Sequence, residues 1–185
     1  MVKTPSTMLP LGTKAYPFSL QDTLSGKVLS LTQLKSNKAT LIMFICNHCP
    51  YVKHVQAELV RLAHDYQSKG VAFIAISSND AEQYPEDSPQ RMKEVAEQWG
   101  YPFPYLYDET QEIARKYQAA CTPDFYLFDK NLLLVYRGQL DDSRPGNNIP
   151  LSGKDIRGAL DNLLKGKLVN PEQRASVGCS IKWKK

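Results

Sequence analysis

The chain has 185 residues, enough for one domain with a sizeable core and appendages. Its 42% hydrophobic and 23% charged content is that of a soluble globular protein, and a net charge of +4 with scattered basic residues argues against nucleic acid as a partner. No apolar run approaches the ~18 residues of a membrane span, and none forms a signal core before Pro10. The sequence therefore predicts no membrane partner and a cytoplasmic location, where disulfides are transient and catalytic or sensing.

Residues 1–15 read as an N-terminal arm. Phe18 to Leu31 carries short apolar pieces around a Ser25-Gly26 turn, a hairpin pattern. Thr40–Ile45 is a nearly continuous apolar run, as in a buried central strand. A helix follows over Cys49–Ser68. Val52, Val55, Leu59, Leu62 and Tyr66 form its buried face, Pro50 lies in its first turn and Gly70 is its stop. Val71–Ser77 is a second buried strand.

Residues 79–88 form a polar loop, and Asp87 or Ser88 can cap a helix from Pro89 to Gly100. Phe103–Tyr107 reads as a short strand near a sheet edge, because of Pro102 and Pro104. Asp108-Glu109-Thr110-Gln111 resembles a capping box for a helix to about Tyr117. Asp124–Asp129 and Leu132–Gly138 form an antiparallel hairpin through Lys130-Asn131. A polar loop, 139–150, leads to a final helix, Ser152–Leu164, stopped by Gly166. Residues 167–185 are a C-terminal tail holding Cys179 and Trp183, with Lys182, Lys184 and Lys185 as solvated charges. The order implies an α/β domain over 16–166, a mixed sheet with helices on both faces.

The chemistry is carried by Cys46-Asn47-His48-Cys49. A strand that ends in C-x-x-C and opens a helix is the form of a dithiol redox site. Helix N–H groups and the helix dipole stabilise an anion at the first cysteine, and such settings lower a thiol pKa from about 8.5 to roughly 3.5–7.5. Cys46 is then the attacking thiolate and Cys49 the resolving thiol. His48, when protonated, favours the thiolate; the alternative is a solvent-facing histidine. A zinc site would need a second ligand pair, and Cys121 and Cys179 are single and distant. Cys121 is either a buried structural thiol or an extra redox thiol. Cys179 is either a resolving thiol on a mobile arm or an anchor beside Ile181 and Trp183. Arg137 and Arg144 are surface charges or contacts for an acidic substrate. Thr122-Pro123 precedes the β-rich Phe125-Tyr126-Leu127-Phe128.

Leu41–Val52, Cys121–Asp129 and Gly178–Lys184, with the stretch from Tyr101 to Thr110, resemble the peroxiredoxin-like (redoxin, AhpC/TSA-type) subgroup of the thioredoxin superfamily. The likeness covers about residues 10–185. It implies a thioredoxin-like fold with an N-terminal β-hairpin extension. It also implies a cis proline at Pro123 beside the redox cysteines, Cys121 close to Cys46, and a Thr122 backbone available to pair with an extended substrate. Peroxiredoxins carry a P-x-x-x-[TS]-x-x-C pattern, and neither Ile45-Cys46 before Cys49 nor Ile42-Met43 before Cys46 supplies its proline or hydroxyl. The Asn-His pair is closer to the x-His pairs of disulfide-forming relatives.

The reading is a thiol–disulfide oxidoreductase with no cofactor. Protein or small-molecule disulfides and thiols would be its substrates, and a thioredoxin or glutathione system its reductant. A thiol peroxidase with Cys46 peroxidatic is the second reading. A metal-binding or redox-sensing module of Cys46, His48, Cys49 and Cys121 is the third. A homodimer through a sheet edge or the tail is left open.

Overall fold

The computed structural model describes residues 3–185; the first two residues of the expected arm lie outside the described residues. The strands are β1 Lys3–Pro5, β2 Ser19–Asp22, β3 Val28–Ser30, β4 Ala39–Phe44, β5 Val71–Ser77, β6 Tyr105–Tyr107, β7 Cys121–Thr122, β8 Asp124–Asp129, β9 Leu134–Gly138 and β10 Val177–Ser180. The helices are α1 Leu31–Leu34, α2 Pro50–Gln67, α3 Pro89–Trp99, α4 Glu112–Lys116 and α5 Lys154–Leu164. A 3-10 turn, Pro85–Asp87, precedes α3.

A seven-stranded mixed sheet runs in the order β3-β2-β6-β5-β4-β8-β9. Strands β4, β5 and β6 are parallel neighbours, and β8 lies antiparallel to β4. Every residue of β4 is buried, as its unbroken apolar run requires of a strand covered on both faces. Leu41, Met43 and Ile45 face α2, α3 and α5, in one cluster with Leu59, Leu62, Met92, Ile156 and Leu160. Ile42 and Phe44 face the opposite layer, against Leu31, Ile113, Tyr117 and Tyr126. The two-residue period of a strand thus divides the core into two halves.

Helix α2 begins at Pro50, where a missing N–H costs nothing, and α3 ends on Gly100 at φ 61°, a left-handed conformation suited to glycine. The expected edge position for the 103–107 strand is incorrect. Strand β6 is interior, flanked by β5 and by β2 of the N-terminal hairpin. Both prolines precede the paired residues, so no ladder donor is lost, and the Pro104 carbonyl still accepts from Ala75 N–H (3.0 Å). Helix α4 is shorter than expected. Its start is held by buried Asp108, which accepts from Ala114 N–H (2.9 Å) and Ile113 N–H (3.4 Å).

Arm and tail meet in a second, three-stranded sheet in the order β1-β10-β7, antiparallel throughout. Residues 3–5 are therefore a paired strand rather than a loose arm. Their pairing occupies the outer edge of β10, whose amides and carbonyls would otherwise lack partners.

Candidate active site

Topology brings three segments together. Strands β4 and β5 are parallel, so the loops after them emerge side by side at their carboxyl ends, where α/β sheets place ligands. The first loop carries Cys46-Asn47-His48-Cys49 and the second carries Asp87. Strand β8 is antiparallel to β4 with Phe44 opposite Asp124, so the start of β8 and the preceding Thr122-Pro123 lie against the end of β4. The Thr122–Pro123 peptide bond is cis, as the resemblance implied.

Cys46 and Cys49 are both buried. Cys46 Sγ lies 3.2 Å from Thr122 Oγ1, and Cys49 Sγ lies 3.2 Å from the Thr122 carbonyl oxygen. Thr122, rather than Cys121, is the residue that meets Cys46. The Cys121 thiol turns to the Pro123 carbonyl (3.8 Å), and burial pushes its pKa up, so it stays protonated. Cys179, for which the sequence offers two placements, is brought beside the pair by its strand, with Cys49 Sγ and Cys179 Sγ hydrogen-bonded at 2.7 Å. All four cysteines are free of disulfide bonds.

Cys46 and Cys49 are hydrogen-bonded to each other, so the anion that the sequence places at Cys46 is shared within the pair. Cys49 is the residue that caps α2, and it is held down at about 5. Its hydrogen-bonded contacts with Cys46 and Cys179 outweigh its burial, and its side chain makes no capping bond to the helix. Cys46 is pushed well above the ordinary thiol range by donating to Cys49, by burial and by the Asp87 charge. Cys179 is pushed up to about 12 by burial and by its hydrogen bond to Cys49. In the reduced state Cys46, Cys49 and Cys179 form one hydrogen-bonded cluster of sulfurs with Cys49 at its centre.

Asp87 is fully buried and organises the cysteine loop. Its Oδ1 accepts from the N–H groups of Asn47 (2.7 Å) and His48 (3.2 Å). Its Oδ2 contacts His48 Nδ1 at 2.5 Å and accepts from Asn79 Nδ2 at 2.7 Å. Burial alone would raise Asp87, but these bonds hold it below the usual carboxylate range. His48 is raised by the same contact. Its ring stacks on Tyr84, with centroids 5.4 Å apart. Asn47 is fixed from its other side by the Tyr105 hydroxyl (3.1 Å). Sequence reasoning read Asp87 as a helix cap and missed Asn79, Tyr84 and Tyr105. For Asn79 and Tyr84 the available signal was the position of their loop, at the carboxyl end of a strand parallel to β4; Tyr105 opens β6.

Cys46, His48 and Asp87 place one potential ligand atom each within 4.8 Å of one another. Both Asp87 oxygens are already saturated by N–H donors, so metal ligation would have to break bonds that hold the loop. Arg144 is consumed within its own loop, donating to the Asp141 carbonyl (2.5 Å) and to Gln139 Oε1 (2.5 Å). Arg137 donates to Gln173 Oε1 (3.2 Å).

The AhpC/TSA family profile matches residues 11–137. The chain belongs to the AhpC/TSA family. This AhpC/TSA member is 66% identical to an uncharacterized conserved protein of Geobacillus kaustophilus, whose crystal structure superposes with a TM-score of 0.98 over 100% of this chain and 97% of that one. It is 27% identical over 123 residues to the thiol-disulfide oxidoreductase ResA of Bacillus thuringiensis, and the match spans 66% of each chain, about two thirds of the curated relative's length. A secreted disulfide oxidoreductase of Mycobacterium tuberculosis, homologous to DsbE of E. coli, shares the thioredoxin-like fold. It is 17% identical with a TM-score of 0.60, over 78% of this chain and 94% of that one.

Proposed function

We propose that this AhpC/TSA member is a thiol–disulfide oxidoreductase working through a Cys46–Cys49 dithiol–disulfide cycle. The observation that carries this reading is the pair itself, set at the head of α2 and in contact with Thr122 beside the cis Pro123. One cysteine attacks a substrate disulfide, forming a mixed disulfide and releasing one substrate thiolate. The other cysteine then attacks the mixed bond, closing Cys46–Cys49 and releasing the second thiolate. Cys46, the first cysteine of the pair, is assigned the mixed disulfide, and Cys49, in contact with Thr122 and Cys179, the resolving step. The name of the ResA relative supports the same chemistry.

Small disulfides suit the site better than extended peptides, since the Thr122 backbone is already paired with Cys179 in β10. The expected open edge at Thr122 is thus a correction to the sequence reading. A groove of about 470 Å³ opens beside Asn47 and His48, with Lys53, Arg91 and Trp99 on its walls. Its walls carry both signs, with Glu86 and Glu94 beside Lys53 and Arg91, and with Arg91 ion-paired to Glu94 (2.6 Å), and a glutathione system is the reductant we propose.

Cys46→Ser is expected to abolish turnover of a glutathione mixed disulfide, and Cys49→Ser to accumulate a Cys46 adduct seen by intact-mass spectrometry. Normal turnover by Cys46→Ser would overturn the assignment. A thiol peroxidase is the second reading, favoured by the family and by the Thr122 hydroxyl 3.2 Å from Cys46 Sγ, which stands where a peroxide could be polarised. A fast second-order reaction of Cys46 with hydrogen peroxide would establish it.

A further inference from the structure

The tail is bound into the site as a substrate strand would be. Strand β10 pairs antiparallel with Thr122, with Cys179 opposite Thr122 and Ser180 opposite Cys121. The approach is so close that a Cβ on Gly178 would lie 1.9 Å from the Thr122 carbonyl oxygen, so only glycine fits there. The strand is fastened at both ends. Ser176 Oγ donates to the Pro123 carbonyl (3.0 Å). Lys182 N–H donates to Asn79 Oδ1 (2.8 Å), while its carbonyl accepts from Asp80 N–H (2.9 Å) and Gln111 Nε2 (2.7 Å). The tail is thus no mobile arm, and the thiol it holds is the one in contact with Cys49.

We propose that Cys179 is a third redox thiol of this site, converting the Cys46–Cys49 disulfide into a Cys49–Cys179 disulfide and returning Cys46 as a thiol. The proposal rests on the dithiol reading above. In the step, Cys179 Sγ gives up its proton and attacks Cys49 Sγ. The Cys49–Cys179 bond forms, the Cys46–Cys49 bond breaks, and Cys46 leaves as a thiolate that takes up a proton. One disulfide replaces another, so no oxidant is consumed. In the reduced state Cys49 is hydrogen-bonded to both other sulfurs, to Cys46 on one side and to Cys179 on the other. The charge on Cys49 that opposes ionisation of Cys179 vanishes once Cys49 is in a disulfide. β10 then acts as a tethered substrate, holding the oxidising equivalent inside the fold while Cys46 is reset.

The test is disulfide mapping after millisecond acid quench, with the full-length protein oxidised by limiting oxidised glutathione. Trypsin leaves Cys46 and Cys49 on one peptide, 39–53, and Cys179 on another, 175–182. A Cys49–Cys179 bond therefore links two peptides, while a Cys46–Cys49 bond leaves one peptide lighter by two hydrogens. We expect the internal bond first and the linked peptides later, with Cys46 alkylated in the linked species. Cys179→Ser should stop at the internal bond. Gly178→Ala should lower the linked yield about tenfold or more while the internal bond still forms. An internal bond that persists in the wild type, with no linked peptides, would overturn the relay and leave the dithiol reading standing. Linked peptides without any prior Cys46–Cys49 bond would overturn both.

Discussion

Asp87 holds four N–H donors on two oxygens and sets the charge around both His48 and Cys46. Its depressed pKa gives stability that is present above the ordinary value of 3.8 and lost as pH falls through its folded value. The raised pKa of His48 gives stability that is full below 6.5 and lost as pH rises through its folded value. The pair therefore supports the fold best between these limits, in mildly acidic solution. In Asp87→Asn the imidazole loses its counter-charge, so its titration by NMR should move down towards 6.5. Cys46 loses a like charge, so its alkylation should begin at lower pH. With a buried charged acceptor gone, stability to urea should fall by roughly 3 kcal/mol. An unmoved His48 titration would show that the contact does not set its pKa.

Long apolar elements were legible in the sequence, and short paired ones were not. Strands β4, β5 and β8 are buried on both faces, so each needs an unbroken apolar run, and the bounds of β5 and β8 match the expected ones. Helix α2 is legible for the complementary reason, one apolar stripe at helical spacing. Lys3-Thr4-Pro5 and Val177-Gly178-Cys179-Ser180 carry no such signal, because each is made a strand by a partner far along the chain. Asp87 was obscured differently: a carboxylate that binds loop amides looks in sequence like one that caps a helix. The arm's dependence on the tail can be measured. Without residues 1–6, β10 loses its outer partner, and Asp124 loses the Ser6 hydroxyl bonded to it at 3.1 Å. Amide exchange in β10 and alkylation of Cys179 should both quicken by about tenfold or more, the effect of some 1.4 kcal/mol. Unchanged rates would mean that β7 and the Lys182 bonds suffice to hold the tail.

Across the whole molecule, the site is where the two sheets meet. Cys46 and Cys49 follow the large sheet, while Cys179 belongs to the small one. A Cys46–Cys49 bond closes a tiny loop and constrains the unfolded chain little. A Cys49–Cys179 bond spans 130 residues and on chain-entropy grounds would stabilise the fold by roughly 5 kcal/mol. Oxidation should therefore raise the urea midpoint of the wild type more than that of Cys179→Ser; equal gains on oxidation would mean that the long bond does not form. The same separation has a consequence on the ribosome. Cys179 is added 130 positions after Cys49, roughly 7–26 s later at ordinary rates of translation. Throughout that interval the nascent polypeptide carries a dithiol whose cover has not yet been made, so each molecule begins its existence more exposed to passing disulfides than it will be once released.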